Sequence, residues 1–320
     1  MIRLSNLNSS YKFRRAMSQQ LNFWDNFWVR PVPPHALALT RIALGLFLLV
    51  YSALYIPHLS MIFSREGLVM PLYIDRYPAL SLILSAPSPL AAHIIYALFM
   101  LCMVGITLGA FFRLSTFGTL LGGLYIWQLQ LHGFATSYNR ILLFCLLILL
   151  FSGAHRTFSF DQKRRSGSWT DWEPISILPQ RLIALQITAT FLGVSLQKWW
   201  LPHWKGGEVL SYSYISRWGT PLAQWYARLP LTLLHYGIVV WTVKIIQPLC
   251  AIGIWIPRVR IPSIIFLSAF LILVGVMLSI WWFIFIIPAF ILFYKPEEVL
   301  LRCRSYFGDL IPEKSVKHTK

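Results

Sequence analysis

The sequence predicts an all-α fold: a polytopic integral membrane bundle of about eight transmembrane helices. Three observations predict it: an apolar composition, a series of apolar runs of membrane-crossing length, and basic residues gathered on alternate connections. Of 320 residues, 57% are hydrophobic and only 12% are charged, where a soluble domain carries roughly a quarter charged. So apolar a chain cannot cover its surface with polar groups in water. In a bilayer only helices and closed barrels satisfy every backbone polar group. The apolar runs lack the alternation of barrel strands, so they read as helices.

Residues 1–34 form a basic lead-in on the cytoplasmic side. Phe23-Trp24 and Phe27-Trp28 stand four residues apart and share one helical face. That pattern suits a helix lying in the membrane interface. Pro31, Pro33 and Pro34 end it. No apolar core precedes a cleavage site, so the lead-in does not read as a secretory signal. The transmembrane domain is placed at 35–296, and a basic cytoplasmic tail at 297–320.

Within that domain the first span covers 36–56 and carries Arg41 near its start. A proline-rich loop, 57–89, follows. The second and third spans cover 90–112 and 115–132, with Arg113 between them. The fourth, 138–153, is short. A loop at 154–178 holds Lys163-Arg164-Arg165. The fifth span covers 179–199 and leads into an aromatic-rich loop, 200–229. The sixth, 230–256, is interrupted by Lys244 and Pro248. The last apolar stretch, 261–294, is too long for one ordinary helix and short for two, since a span needs about 20 residues.

Charge arbitrates. With two helices meeting near Ser279, both chain ends fall on one side, which then holds 19 of the 28 Lys and Arg residues. Seven lie opposite, and Arg41 and Lys244 fall within spans. The positive-inside rule then puts both termini in the cytoplasm of a cell whose inner membrane the chain crosses. The net charge of +17 is thereby assigned to topology and anionic headgroups. Nucleic acid is excluded as a partner, because no soluble domain carries a basic patch.

The same survey removes several chemistries. No two of the eight histidines stand at the spacing that would put metal ligands on one helix face. The four cysteines are isolated, which argues against a metal site, a redox pair or a disulfide framework. There are no paired carboxylates, no Gly-rich phosphate loop and no serine nucleophile elbow.

Ionisable residues inside spans are expensive and become site candidates by default. Arg41, about one turn inside its span, could snorkel to the interface or serve a structural interhelical role. Lys244 lies near mid-span with no acid at helical spacing, so its partner must come from another segment. Lys198 closes the fifth span in Ser195-Leu-Gln-Lys198-Trp199-Trp200-Leu-Pro-His-Trp204. It reads either as an interfacial anchor or as an amine desolvated by indole rings and free to act as a general base. Gln197, Trp199, Trp204, Lys244, Asn139 and Arg140 are the candidates for a cavity around it.

Arg41-Ile-Ala-Leu-Gly-Leu-Phe, Phe63-Ser-Arg-Glu-Gly-Leu-Val and Gly193-Val-Ser-Leu-Gln-Lys198 with Trp204-Lys-Gly206 resemble the HTTM membrane domain. Vitamin K-dependent gamma-glutamyl carboxylases and many bacterial proteins share that domain. The resemblance runs from about Trp28 to Tyr294. It implies that Lys198 occupies the place of the base that deprotonates reduced vitamin K, so that vitamin K or another quinone would be the cofactor. The carboxylases' histidines are not matched, since Ser137-Tyr-Asn-Arg-Ile and 262–296 contain none. Nor does the short stretch after Tyr294 leave room for their large non-cytoplasmic domain. The chain is therefore more similar to compact bacterial HTTM proteins of the sporulation-delaying protein B type. Three roles remain open: an enzyme acting at the outer face, a non-catalytic maturation or assembly partner for a secreted peptide or another membrane protein, and, last, a transporter. The bilayer is the one partner common to all three.

Overall fold

The computed structural model describes residues 24–69, 85–129, 137–230 and 232–312. Among them, the only extended pairing is a two-residue antiparallel bridge, β1 (Pro31–Val32) with β2 (Ile175–Ser176). Everything else regular is helical. The helices are α1 (His35–Ala53), α2 (Leu59–Phe63), α3 (Pro89–Leu108), α4 (Phe112–Leu129), α5 (Ser137–Leu150), α6 (Phe160–Ser166) and α7 (Leu178–Trp200). They continue with α8 (Glu208–Ile215), α9 (Pro221–Ala227), α10 (Leu233–Gly253), α11 (Arg260–Leu278), α12 (Ile286–Ala289) and α13 (Pro296–Phe307).

Local chemistry sets several boundaries. Ser88 caps α3 by accepting from Ala91 N, with Pro89 at the first helical position. The same helix stops at Gly109, whose φ of 65° is the left-handed cap that glycine adopts without penalty. Asp161 then takes the next turn: its carboxylate accepts from Phe111 N at 3.0 Å and Phe112 N at 2.8 Å, which satisfies the start of α4.

Among the described residues, four stretches are long and apolar enough to cross a membrane: His35–Phe63, Pro89–Leu108, Leu233–Gly253 and Arg260–Leu278. The fourth expected span is short in the structure as well. Its 14-residue helix α5 is about 21 Å long at 1.5 Å per residue, less than the hydrocarbon core. The last apolar stretch is neither one helix nor two regular ones. α11 ends at Ser279, which has φ 57°, and the chain returns through short helical turns at Trp281–Phe283, Ile286–Ala289 and Phe290–Phe293. Pro288 breaks the return limb's ladder of backbone hydrogen bonds. The return is complete: Tyr294, at its end, lies under the guanidinium of Arg260, at the start of α11.

The connections sort to two ends of the bundle. At one end β1 pairs with β2, Arg30 faces Glu297 at 3.6 Å, and Gln180 Nε2 donates to Leu292 O at 2.8 Å and Tyr294 O at 3.1 Å. Thr170 Oγ1 donates to Leu310 O, and Trp172 Nε1 to Pro312 O at 3.3 Å. These contacts join the segments around residues 30, 175, 294 and 310. At the other end Thr220 N donates to Met277 O at 3.0 Å, Trp218 packs on Trp282, and Trp282 packs on Tyr138. One continuous apolar core runs between the ends, formed by α1, α3, α5, α7 and the return limb.

The lead-in helix is seen in part. Residues 24–28 are helical, with Phe27 edge-on to Trp28 and beneath the Arg181 guanidinium at 4.6 Å. Phe23, the remainder of 1–23 and the middle of the proline-rich loop (70–84) lie outside the described residues.

Candidate functional site

Two lysines are buried where α7 meets α10. Lys198 is 5% exposed and Lys244 is 2% exposed. Neither takes part in any of the three ion pairs among the described residues. Their partners are neutral. Lys198 Nζ donates to Gln247 Oε1 at 2.5 Å, and its ammonium stands 5.0 Å from the Trp204 ring and 5.1 Å from the Phe270 ring. Lys244 Nζ donates to Trp204 O at 2.8 Å and stands 4.2 Å from the Trp241 ring and 5.3 Å from Trp199.

The sequence produces this arrangement through helical spacing. Lys244 and Gln247 are three apart, so they share the face of α10 that meets α7. Ser195 and Lys198 do the same on α7, and Ser195 Oγ reaches Lys244 O at 3.4 Å. Lys198 sits in the last turn of its helix, where the unsatisfied carbonyls favour a cation. Leu201 leaves the helical conformation, and Pro202–Trp204 forms one tight turn that folds the indole of Trp204 back over Lys198. Trp204 is therefore the hinge of the site: its ring faces one lysine and its carbonyl accepts from the other. On the far side of Trp241, a groove of about 630 Å³ opens between α10 and the Lys205–Glu208 turn.

The other sequence candidates divide. Trp199 and Trp204 join the lysines. Gln197 is exposed, and no hydrogen bond among the described residues joins its side chain to either lysine. Arg140 is exposed. Asn139 is buried in α5 with Oδ1 unpartnered, and no hydrogen bond joins it to either lysine. Its neighbour Tyr138 instead enters a tyrosine cluster, with Tyr51 Oη 3.0 Å from Tyr138 Oη and 2.9 Å from Tyr55 Oη. Arg41 turns inward to protein partners. It is wholly buried, donates from Nη2 to Phe158 O at 2.6 Å, and lies against Gly109, where any Cβ would overlap its guanidinium. It ties α1 to the α3–α4 turn and the loop before α6. Gln247 and Phe270 were not identifiable from sequence alone. The available hint was Gln247's place one helical turn after Lys244.

Among the described residues no group of three or more metal-ligating side chains converges. The site is a pair of amines in an amide and aromatic enclosure. It can hold an anionic or acidic group, or pass a proton.

A helical bundle whose longest apolar helices could cross a membrane, with two buried lysines that have neutral partners and no ion pair among the described residues, is the class these features define. A family model for the HTTM domain matches residues 29–298, and the chain belongs to the HTTM family. No curated protein and no solved structure matches it.

Proposed function

We propose that this HTTM-family protein crosses the inner membrane eight times with both ends cytoplasmic, and that Lys198 acts as a general base on a quinone-like or peptide substrate at the non-cytoplasmic face. The observation that carries the proposal is that Lys198 is buried and that, among the described residues, no carboxylate pairs with it. A carboxylate would hold the ammonium form in place. Here the amine meets an amide oxygen and two rings, in a setting closed to bulk water. Two further features support the topology. Among the described residues, the end that gathers residues 30, 175, 294 and 310 also holds Arg30, Arg181, Arg260 and Arg302, and the turn at Ser279 gives the last apolar stretch two limbs. Vitamin K or another quinone would be the redox partner, by resemblance to the carboxylases.

The test is Lys198→Ala in the intact host. Loss of function with unchanged membrane levels supports the base. A fully active Lys198→Ala protein overturns it.

One observation favours a second reading. Both lysines also pin Trp204, so they could serve mainly to fix the aromatic loop as a docking surface for a secreted peptide. In that case the protein is a maturation or assembly partner, and Lys198→Arg, which keeps the charge, retains function. A pull-down from membranes that recovers no peptide or protein partner removes this reading.

A further inference from the structure

A second cavity lies far from the lysine pair, at the end of the bundle where the chain's basic segments meet. It measures about 740 Å³ and opens between α1, α11, the return limb and α13. Leu39, Ile264, Ile291 and Phe307 typify its apolar walls, and Tyr294 and Arg302 stand at its polar rim. Among the described residues that line it, Arg302 is the one that carries a charge.

The rim is unusual in its charge. The Arg302 guanidinium lies 5.0 Å from the centre of the Tyr294 ring, and so does that of Arg260. Two cations thus converge on one tyrosine. Arg260 is 8% exposed and donates from Nε to Ile254 O at 3.1 Å, which leaves the rest of its guanidinium without a carboxylate. The nearest helix, α13, carries two acids in its first turn, Glu297 and Glu298. Glu297 faces Arg30, Glu298 stands four residues before Arg302, and none of the ion pairs among the described residues reaches Arg260 or Arg302. Like charges brought together in a part-buried setting repel unless a counter-ion joins them. Planar guanidinium groups match phosphate oxygens bidentately.

The size of the cavity falls within the range of small-molecule sites, about 300–1,000 Å³. Its walls are too apolar for a free sugar or nucleotide phosphate. A molecule with one anionic end and one long apolar end fits both halves. Basic pockets between membrane helices take phospholipid headgroups for the same reason.

We propose that this groove binds an anionic glycerophospholipid, with an acyl chain along the apolar walls and the phosphate between Arg260 and Arg302. The site is independent of Lys198. In the topology proposed above it opens to the cytoplasmic leaflet, whose anionic lipids would supply the ligand.

The experiment titrates the purified, delipidated full-length protein with phosphatidylglycerol, phosphatidylcholine or soluble glycerol 3-phosphate, read by native mass spectrometry. Phosphatidylglycerol is expected to bind at least tenfold more tightly than phosphatidylcholine. Arg302→Gln should remove most of that preference, and Ile291→Trp, which fills the groove, should weaken both lipids. Arg302 is exposed, so its variant decides the matter even if Ile291→Trp does not fold. Equal binding of the two lipids, or an unchanged preference in Arg302→Gln, overturns the proposal. So does glycerol 3-phosphate competing as well as the lipid, because that would mark a site for free phosphate.

Discussion

The Lys198–Gln247 contact can be tested by removing its two members in turn. Gln247→Leu leaves the ammonium in place and takes away its hydrogen-bond acceptor. A charged group stripped of its buried partner costs about 3 kcal/mol. Lys198→Met keeps most of the volume and removes the charge. It forfeits two ring contacts worth about 2 kcal/mol each when desolvated, and leaves Gln247 Oε1 unmet at about 1–3 kcal/mol. Against this it relieves the burial of an ammonium, an effective penalty of several kcal/mol. The two sides nearly cancel, so Lys198→Met should change stability by less than about 1 kcal/mol. The asymmetry between the variants is then about 2–3 kcal/mol, on the order of 5 °C in midpoint. Thermal unfolding in detergent, followed by the fluorescence of the 14 tryptophans, measures it. The double variant should recover most of the loss seen in Gln247→Leu. If Lys198→Met is more destabilised than Gln247→Leu, the lysine is a structural staple and the reasoning fails.

Other positions give independent expectations. His155, in the loop before α6, stacks on Phe112 at 4.9 Å, and burial holds its pKa down to about 4. Asp161 opposes that shift, and Arg165, Arg156 and Arg113 reinforce it. The unfolded chain takes up this proton near pH 6.5 and the folded chain only near 4, so His155 contributes stability above about pH 6.5 that is lost as pH falls toward 4. His155→Gln should flatten the stability profile across that window, and an unchanged slope would contradict the assignment. Gly45 packs α1 against α3, where an added Cβ would meet Thr107 Oγ1 and lie 3.0 Å from Thr107 Cα. Gly45→Ala should therefore destabilise by about 1–3 kcal/mol in a denaturant titration, and a neutral result would mean the helices separate freely. Asp161→Ala removes the two backbone bonds that start α4 and should cost about 1–2 kcal/mol in the same assay, with Asp161→Asn milder.

Much of the fold was legible because apolar periodicity and charge are local properties. The ends of α1, α3, α7 and α10 fall within a few residues of the spans expected at 36–56, 90–112, 179–199 and 230–256. The turn at Ser279 falls where two helices were expected to meet, and charge balance was the reason to expect two. The form of the return limb was not legible, because hydropathy does not distinguish a regular helix from short turns broken at Pro288. Lys198 drew notice from its tryptophan-flanked position and from the resemblance to the HTTM domain, and its burial followed from neither. The acceptor Gln247 was not legible, since that contact joins residues 49 apart in sequence and exists only once α7 and α10 pack. For the same reason Lys244 could be expected to need a partner from another segment, but not one as unmarked as the Trp204 carbonyl. For Arg41, depth along the helix left two roles open, a route to the interface and a structural tie between helices. Its actual fate depends on Gly109 and Phe158, which approach it from two different connections.

The central claim is that Lys198 moves a proton. The most direct measurement compares Lys198→Arg with the unaltered protein, at matched membrane levels, in restoring whatever defect deletion of the gene produces. Arginine keeps the positive charge and the hydrogen-bond donors but does not give up its proton in a protein. The account predicts that Lys198→Arg fails while Gln197→Ala, on the exposed face of the same turn, succeeds. Full function in Lys198→Arg would contradict it.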